Sequence, residues 1–207
     1  MCCRYYMESS PQLRPILSAA QHSKLYLNNL ESIAKPLVTK GEVFPDSLIP
    51  TIATGRNGQK AVYPMLWGYH VPGINRPVFN ARTETVAEKR VFKDGWSSHR
   101  CIIPASWYLE WEHIPTPLGD KTPGDKFAIM PRGARTTYLC GIYRFEDKIP
   151  HCTILTRPSG ESVAGIHDRM PLILPREAID DWINPHANPQ TLLPLALTDM
   201  VIERSYC

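Results

Sequence analysis

Residues 101–112 read CIIPASWYLEWE, and this stretch decides the fold class because it contains two strand patterns in succession. Cys101–Ile103 is a short, uninterrupted apolar run, which is typical of a strand buried on both faces. From Trp107 onward the residues alternate, as in a strand with one face on the core. Trp107, Leu109 and Trp111 then share one face, and Tyr108, Glu110 and Glu112 share the other. On this pattern alone, Glu110 is predicted to be a solvent-exposed strand residue.

Strand-like runs continue on the C-terminal side of this stretch. They lie at residues 126–130, 136–145 and 151–156, and turn-forming residues separate them. We predict that these runs form consecutive antiparallel strands in a meander. The proline-rich segment 114–124 that precedes them is predicted to be a hairpin loop.

An apolar run on the N-terminal side, residues 61–69, predicts another strand. It follows the sequence Gly-Arg-Asn-Gly at residues 55–58, which is typical of a turn between two strands because Asn and Gly tolerate positive φ. A Val-Pro-Gly sequence at residues 71–73 ends the run.

The segment that follows alternates again and places Asn80 and Arg82 on the same face. An amide and a guanidinium therefore point in the same direction. Thr85 and Glu88 have the spacing of a capping box, which predicts a helix that begins directly after Thr85 and ends near Gly95.

Helical periodicity occurs mainly towards the two ends of the chain. Residues 12–30 repeat apolar side chains at a spacing near 3.6, which predicts one or two amphipathic helices. Residues 175–183 predict another helix with a proline in its first turn, and residues 161–165 predict a single helical turn. The segment 35–54 contains three prolines and is predicted to be extended.

These elements predict an α+β fold with one domain over residues 2–207. Strands dominate and no regular βαβ alternation occurs, so we expect a mainly antiparallel β-sheet or open-barrel core with peripheral helices. A chain of 207 residues, 43% of them hydrophobic, is long enough to bury one sizeable core.

Composition narrows the class of function. The formal net charge of +3 is far below that of a protein that holds duplex DNA by charge alone, although a few phosphate contacts remain compatible with it. The six cysteines have no C-x-x-C spacing, so we predict free thiols and no metal site. Neither a signal peptide nor an apolar run of about 18 residues is present, so we expect a cytoplasmic protein without a membrane partner.

The first residues, Met1-Cys2-Cys3-Arg4, offer chemistry that no internal cysteine has. Removal of the initiator methionine would leave Cys2 with a free α-amine and a thiol on adjacent carbons. An aldehyde can form an imine with such an amine, and the thiol can then close the imine to a stable thiazolidine ring. An α-amine has a pKa of about 7.7–8.0, so part of it is uncharged and nucleophilic at neutral pH.

Four motifs, taken in order, resemble those of the SRAP family, which is named for SOS response-associated peptidases. The motifs are Met1-Cys2, Asn80-Ala81-Arg82-Thr83-Glu84-Thr85, Pro104 with Trp107-Tyr108-Leu109-Glu110-Trp111, and His167-Asp168-Arg169-Met170-Pro171. The resemblance covers roughly residues 2–184 and implies a single α+β domain with a β-rich core. It also implies a protein that links itself, through its N-terminal cysteine, to abasic sites in single-stranded DNA.

The same resemblance assigns catalytic roles to Cys2, Asn80, Glu110 and His167. Cys2 matches the crosslinking cysteine, and the other three match active-site residues of the family. A carboxyl and an imidazole near the Cys2 amine can supply the proton transfers that imine formation requires. A histidine at its ordinary pKa of about 6.5 both gives and takes a proton at neutral pH. Asn80 cannot titrate, so we expect its amide to orient the N-terminus or the sugar.

A DNA-binding surface is also implied by the resemblance. Arg4 and Arg82 match residues that resemble phosphate binders, and Trp67 and Trp111 are candidates to stack against bases. The expected partner is therefore single-stranded DNA that contains abasic sites, and we expect the protein to be a monomer.

Three functions remain open on the sequence. The leading one is an abasic-site sensor and crosslinker that uses no metal and no organic cofactor. The second is a peptidase or amidohydrolase in which the Cys2 thiol attacks an amide carbonyl, in its own N-terminus or another peptide, with His167 as base. The third is a non-catalytic binder of DNA strands. The N-terminus separates them, because the crosslinker needs the α-amine of Cys2, the hydrolase needs only the thiol, and the binder needs neither.

Overall fold

A computed structural model describes residues 2–116 and 120–205 of the chain, without the side chains of residues 29–32 and 115. The strands in this part of the chain are β1 Arg4–Met7, β2 Gly41–Val43, β3 Leu48–Thr54, β4 Lys60–Trp67, β5 Asn80–Arg82, β6 Arg100–Ala105, β7 Trp107–Pro115, β8 Lys121–Pro131, β9 Thr137–Glu146, β10 Ile149–Pro158, β11 Arg169–Pro171 and β12 Met200–Arg204. The α-helices are α1 Arg14–Gln21, α2 Lys24–Ile33, α3 Arg90–Ser98, α4 Glu161–Ala164 and α5 Ile179–Ile183, with 3-10 helices at Arg176–Ala178 and Pro189–Leu195. None of the described helices has the length and apolarity needed to cross a membrane.

The first sheet has the strand order β12-β8-β7-β1-β2, and all its pairings are antiparallel. Strand β1 lies between β7 and β2, where Tyr5 pairs with Tyr108 on one side and with Val43 on the other. Both edges of the N-terminal strand are therefore held by backbone hydrogen bonds. This pairing fixes the start of the chain next to the centre of β7.

The second sheet is a partly closed barrel. Its main path runs β11-β10-β4-β3-β6-β9, and β9 pairs back with β10. Strands β5 and β11 both add to the C-terminal half of β10, where Thr156 pairs with Arg82 of β5 and with Pro171 of β11. The predicted class, an α+β domain with a mainly antiparallel barrel-like core and peripheral helices, is confirmed.

The two sheets share a hydrophobic core that reaches the N-terminus. Trp67 is fully buried there, with its ring 5.4 Å from that of Tyr5 and 6.1 Å from that of Phe79. Gly68 follows with a φ of +131°, and a Cβ at this position would lie 2.5 Å from the Cβ of Pro77. Only glycine therefore fits where the chain leaves β4.

The predicted meander is wrong in one strand. Strand β8 forms a hairpin with β7 and also pairs with β12, so it belongs to the first sheet, whereas β9 and β10 pair in the barrel. The chain changes sheets between β8 and β9, and sequence alternation carries no information about which sheet a strand joins. The hairpin prediction for residues 114–124 is confirmed in its flanks, and the tip at residues 117–119 lies outside the described residues.

The capping-box prediction gives a helix in this segment correctly but is wrong in its start and its cap. Residues 83–88 form turns, and the helix begins at Arg90 with Lys89 at its N-cap. The hydroxyl of Thr85 is buried without a hydrogen-bond partner among the described residues. The predicted helices at the two chain ends are confirmed: residues 12–30 contain the start of two helices, α1 and α2, and residues 175–183 contain a 3-10 turn followed by α5.

Candidate active site

Cys2 lies directly before β1 and is fully buried. The Nδ2 amide of Asn80, at the start of β5, donates a hydrogen bond of 2.8 Å to the Cys2 carbonyl oxygen. The Cys2 thiol donates a hydrogen bond of 3.5 Å to the carbonyl oxygen of Arg4. The Asn80 side chain therefore orients the backbone that carries the Cys2 thiol, as expected for a group that cannot titrate.

Glu110 lies on β7, the strand next to β1, and only 2% of its surface is exposed. The prediction of a solvent-exposed Glu110 is wrong because Tyr108 and Glu110 lie on the face of β7 that packs into the core. Burial raises the pKa of the Glu110 carboxyl, which keeps its proton to a higher pH than an exposed glutamate does.

The Cys2 thiol has a pKa well above its ordinary value. Burial is the main cause, and the nearby charge of Glu110 raises it further. The thiol is therefore protonated at neutral pH in this structure, and a base is needed before it can act as a nucleophile.

His167 lies between α4 and β11 and is 5% exposed. Its Nδ1 atom accepts the backbone N–H of Arg169 at 2.9 Å and lies 2.8 Å from a carboxylate oxygen of Asp168. Burial lowers the pKa of His167 to about 4. The ring is therefore neutral at pH 7, so it begins as a proton acceptor and not as a proton donor. The expectation of an ordinary histidine pKa is wrong for that reason.

The His167 loop lies against the strand that carries Glu110. The backbone N–H of His113 on β7 donates to the carbonyl oxygen of Ile166 at 3.1 Å. The rings of His113 and His167 lie 4.0 Å apart between centroids. Asp168 is also close enough to Glu110 to add, after burial, to the rise in its pKa. The structure thus brings Cys2, Asn80 and Glu110 together and places the His167 loop beside them.

The four predicted DNA-binding residues have different environments. Trp67 is fully buried, and its Nε1–H donates to the Phe79 carbonyl oxygen at 3.0 Å, so no face of this ring is available to a base. Trp111 is half-buried, with the Lys126 ammonium 5.4 Å from its ring centroid.

The two arginines also differ. Arg4 is half-buried, its Nε lies 3.3 Å from a carboxylate oxygen of Glu42, and its guanidinium covers the Phe44 ring at 4.0 Å. Arg82 is exposed. Of the two, Arg82 is thus the cation that is more readily available to a phosphate.

Sequence reasoning missed two side chains near this site. The Tyr108 hydroxyl is buried without a hydrogen-bond partner among the described residues, and its pKa is raised by burial and by the neighbouring Cys2 and Glu110. Its position two residues before Glu110 on the same strand face was the available signal. His113 was missed because the pairing of β7 with β8 shifts register between Trp111 and His113, with the extra residue on β8, and the sequence of β7 carries no sign of that shift.

Two groups of side chains in the described residues could hold a metal ion. One consists of His70, Glu146 and His151, and the other of His113, His167 and Asp168. The second group borders Glu110, whereas the first lies where β4 ends and the β9–β10 turn begins.

The chain is similar to several known proteins. The family model described as SOS response associated peptidase (SRAP) matches residues 1–203. The abasic site processing protein YoaM of Bacillus subtilis (strain 168) is 31% identical over 178 residues, which cover 76% of this chain and 74% of YoaM. YobE of the same organism, also named an abasic site processing protein, is 35% identical over 130 residues, which cover 60% of this chain and 57% of YobE. The protein of that name from Escherichia coli (strain K12), YedK, is 33% identical over 129 residues, which cover 58% of this chain and 54% of YedK. The chain thus spans little more than half the length of YobE and YedK.

Two solved structures have a fold similar to that of this chain. A phage-related protein from Bordetella bronchiseptica superposes with a TM-score of 0.72 at 20% identity, covering 100% of this chain and 95% of that one. A protein from Bacteroides thetaiotaomicron superposes with a TM-score of 0.72 at 22% identity, covering 98% of this chain and 91% of that one. At such identities the likeness concerns the fold alone. Because the family model spans nearly the whole chain, the protein belongs to the SRAP (SOS response-associated peptidase) family.

Proposed function

We propose that this protein processes abasic sites in single-stranded DNA by linking itself covalently to them through Cys2. The family and the names of the curated relatives support the substrate class. The observation that carries the proposal is the hydrogen bond from Asn80 to the Cys2 carbonyl oxygen next to the buried carboxyl of Glu110. This arrangement holds the backbone of residue 2, and not only its thiol, near the Glu110 carboxyl, which can act as an acid.

The first step of the proposed reaction uses the α-amine that removal of Met1 would create. The amine nitrogen attacks the aldehyde carbon of the ring-opened sugar, a C–N bond forms, and a carbinolamine results. Loss of water from the carbinolamine gives the imine, and the leaving hydroxyl must receive a proton. Glu110 is suited to donate it because burial raises the pKa of its carboxyl.

The second step closes the ring. The Cys2 sulfur adds to the imine carbon, an S–C bond forms, and the thiol proton is transferred to the nitrogen. His167, whose ring is neutral at pH 7 before the reaction, is assigned the role of taking the thiol proton. The imidazolium that forms transiently is acidic, because the pKa of the ring is lowered, and gives the proton to the nitrogen. Amine, thiol and aldehyde thus give a thiazolidine and one water, with no oxidation or reduction.

The competing proposal is a Cys2-dependent peptidase acting on its own N-terminus or on other peptides. Cysteine peptidases attack as thiolates, and their nucleophiles have lowered pKa values. The pKa of Cys2 is instead raised by burial, which does not match the lowered thiol pKa of such nucleophiles.

Intact-protein mass spectrometry tests the proposal. The purified protein is incubated with a single-stranded oligonucleotide that contains one abasic site, or with the same oligonucleotide carrying a tetrahydrofuran analogue that has no aldehyde. We expect a species with the mass of the protein lacking Met1 plus the DNA less one water, and only with the true abasic site. A matched duplex tests the preference for single strands. An adduct that forms equally on the tetrahydrofuran control, or that maps to a lysine, would contradict the proposal.

A further inference from the structure

Tyr108 is a fully buried residue near the start of β7, and its hydroxyl group has no hydrogen-bond partner among the described residues. Buried hydroxyls are nearly always paired, because a polar group that leaves water without gaining a hydrogen bond costs free energy. A phenylalanine would fill the same space without that cost. Packing alone therefore does not account for the oxygen atom of Tyr108.

The pairing of β1 with β7 places this side chain beside the N-terminal residues. Arg4 pairs with Leu109, and the chain before Arg4 runs along β7 in the direction of Glu110. Because side chains two apart on a strand share a face, Tyr108 and Glu110 both point into the core. Cys2 and Tyr108 also belong to one cluster of buried side chains. The fold therefore brings the Tyr108 hydroxyl and the Cys2 thiol into the same part of the core.

The charges that act on Tyr108 agree with this position. Burial is the main cause that raises the pKa of its hydroxyl, and the nearby Cys2 and Glu110 raise it further, in that order. The hydroxyl therefore keeps its proton at neutral pH, so it can donate a hydrogen bond but does not act as a base. Tyr5 differs, because Cys152 is the largest cause of its raised pKa after burial. Of these two tyrosines, Tyr108 is thus the one on which Cys2 acts more strongly than any other neighbour.

The Cys2 thiol has an acceptor of its own before the reaction, the Arg4 carbonyl oxygen at 3.5 Å. The sulfur of a protonated thiol is only a weak acceptor, so a hydrogen bond to it from Tyr108 would be weak. Once the proton has left, the sulfur carries a negative charge, which the carbonyl oxygen repels and a hydroxyl donor stabilises. The Tyr108 hydroxyl therefore gains a strong acceptor only when charge develops on the sulfur, and such an interaction accelerates a reaction.

We propose that Tyr108 is a further catalytic residue, whose hydroxyl donates a hydrogen bond to the Cys2 sulfur as the thiol loses its proton. The hydroxyl proton stays on the tyrosine oxygen throughout. The thiol proton still passes to the nitrogen by way of His167, so the balance of the ring-closing step is unchanged. The role in ring closure rests on the proposed function, whereas the stabilisation of the Cys2 thiolate is a property of the protein without DNA.

Alkylation of the free protein tests the stabilisation of the thiolate. Tyr108→Phe removes the oxygen and keeps the ring. Iodoacetamide reacts with thiolates, so at a fixed pH below the pKa of a thiol its rate follows the thiolate fraction. We expect Cys2 to be alkylated about 10-fold more slowly in Tyr108→Phe, the effect of one lost hydrogen bond to a charged group. Peptide mapping by mass spectrometry also reports Cys3, whose rate should not change, because Tyr108 is not among the groups that shift its pKa.

Tyr69→Phe is the matched control. The Tyr69 hydroxyl is also buried without a partner among the described residues. After burial, Cys101 and Cys152 are the largest causes of its raised pKa, and Cys2 is not among the causes. Removal of an unpaired hydroxyl should leave the free energy of unfolding unchanged or raise it in both variants, and chemical denaturation measures this. A loss of stability in Tyr108→Phe alone would indicate a structural hydrogen bond and would overturn the proposal.

Borohydride trapping then separates the two steps of the crosslinking reaction. In Tyr108→Phe the trappable imine should form at the wild-type rate and mature to the heat-stable adduct at least about 10-fold more slowly. Slower imine formation with normal ring closure would assign the hydroxyl to Glu110 and would overturn the proposal. A wild-type alkylation rate of Cys2 in Tyr108→Phe, or an equal slowing in Tyr69→Phe, would also overturn it. If the wild-type protein did not crosslink at all, the alkylation result would still stand, and only the proposed function would be contradicted.

Discussion

Arg169 and Glu84 form a double ion pair that joins the two segments flanking β10. Both Nη atoms of Arg169 contact the Glu84 carboxylate, Nη2 at 3.0 Å, and Nη2 also donates to the Thr156 carbonyl oxygen at 2.8 Å. The backbone N–H of Arg169 donates to the His167 ring. Glu84, four residues after Asn80, is thereby linked to the position of His167.

Glu84→Gln should destabilise the protein by about 1–3 kcal/mol. The variant leaves the Arg169 guanidinium, which is 10% exposed in its side chain, without its charged partner, and hydrogen bonds to charged groups contribute about that much. Chemical denaturation measures the free energy of unfolding. Asp180→Asn is the control, because its pair with Lys60 has side chains 70% and 52% exposed and should contribute about 0–1 kcal/mol. Equal effects of the two substitutions would contradict the role assigned to Glu84.

The contribution of Glu84 should depend on pH in a defined direction. The hydrogen bonds from Arg169 are the largest cause that lowers the pKa of Glu84, to about 2 in the folded state. A carboxyl with a lowered folded pKa stabilises the protein fully above its unfolded pKa, and the stabilisation is lost as the pH falls towards the folded value. The melting temperatures of the wild-type protein and Glu84→Gln should therefore converge between pH 4.5 and pH 2. A difference that stays constant over that range would show that the charge of Glu84 is not involved.

The two faces of β7 illustrate how much of the fold can be predicted from the sequence. The alternation of β7 correctly separates Glu110 from Trp111, because side chains on a strand must point to opposite faces. Which face is buried depends on the sheet that packs against it, and alternation does not encode that choice, so Glu110 was wrongly predicted to be exposed. The base-stacking role that the family resemblance implies for Trp67 does not fit its full burial, and an apolar strand pattern does not show whether a side chain faces the core or a ligand.

The site itself was predictable only in part. Asn80, Glu110 and His167 follow from the family motifs, but the lowered pKa of His167 is a product of burial that the motif does not carry. His113 meets the His167 loop where its backbone N–H donates to the Ile166 carbonyl oxygen, beside a register shift in the β7–β8 pairing that has no sequence signal as clear as a turn. Contacts between residues of different chain segments, such as the one between His113 and His167, depend on how the strands pair, and the sequence alone does not predict that pairing.

Arg82→Ala should weaken single-strand binding and reduce the salt slope by roughly 0.7, the value for one lost phosphate contact. Arg82 is exposed, whereas Arg4 is held by Glu42 and Phe44, so Arg4→Ala should change the slope less. Fluorescence anisotropy at several salt concentrations, with an oligonucleotide that lacks the abasic site, measures both slopes. A wild-type slope in Arg82→Ala would exclude this side chain as a phosphate ligand.

Glu110→Gln should slow crosslinking about 10²-fold, the lower range for loss of a general acid or base. The amide retains the size of the side chain but cannot supply a proton to the leaving hydroxyl of the carbinolamine. Glu112→Gln, two residues further along β7, is the control and should react at nearly the wild-type rate. Single-turnover gel assays give both rates. Equal rates for Glu110→Gln and the wild-type protein would assign the proton transfer to another group.

The decisive prediction concerns the Cys2 amine. An added residue before Cys2, or a retained Met1, keeps the thiol, Glu110 and His167. The free amine, however, is then no longer on the Cα atom of Cys2, next to the Cβ atom that carries the thiol. Thiazolidine closure is then impossible, and we expect stable crosslinking to an abasic single strand to be lost.

Cys2→Ser, in a protein processed to begin at residue 2, separates the two steps. The amine is still present, so the imine should form and be trapped by borohydride, but it should not mature to a heat-stable adduct, because a hydroxyl is a much poorer nucleophile than a thiol near neutral pH. Denaturing gels with and without borohydride, each run before and after heating, compare the extended protein, the serine variant and the wild type. If the extended protein formed a heat-stable adduct at the wild-type rate, the nucleophile would have to be an internal residue, and the role proposed for the Cys2 amine would be wrong.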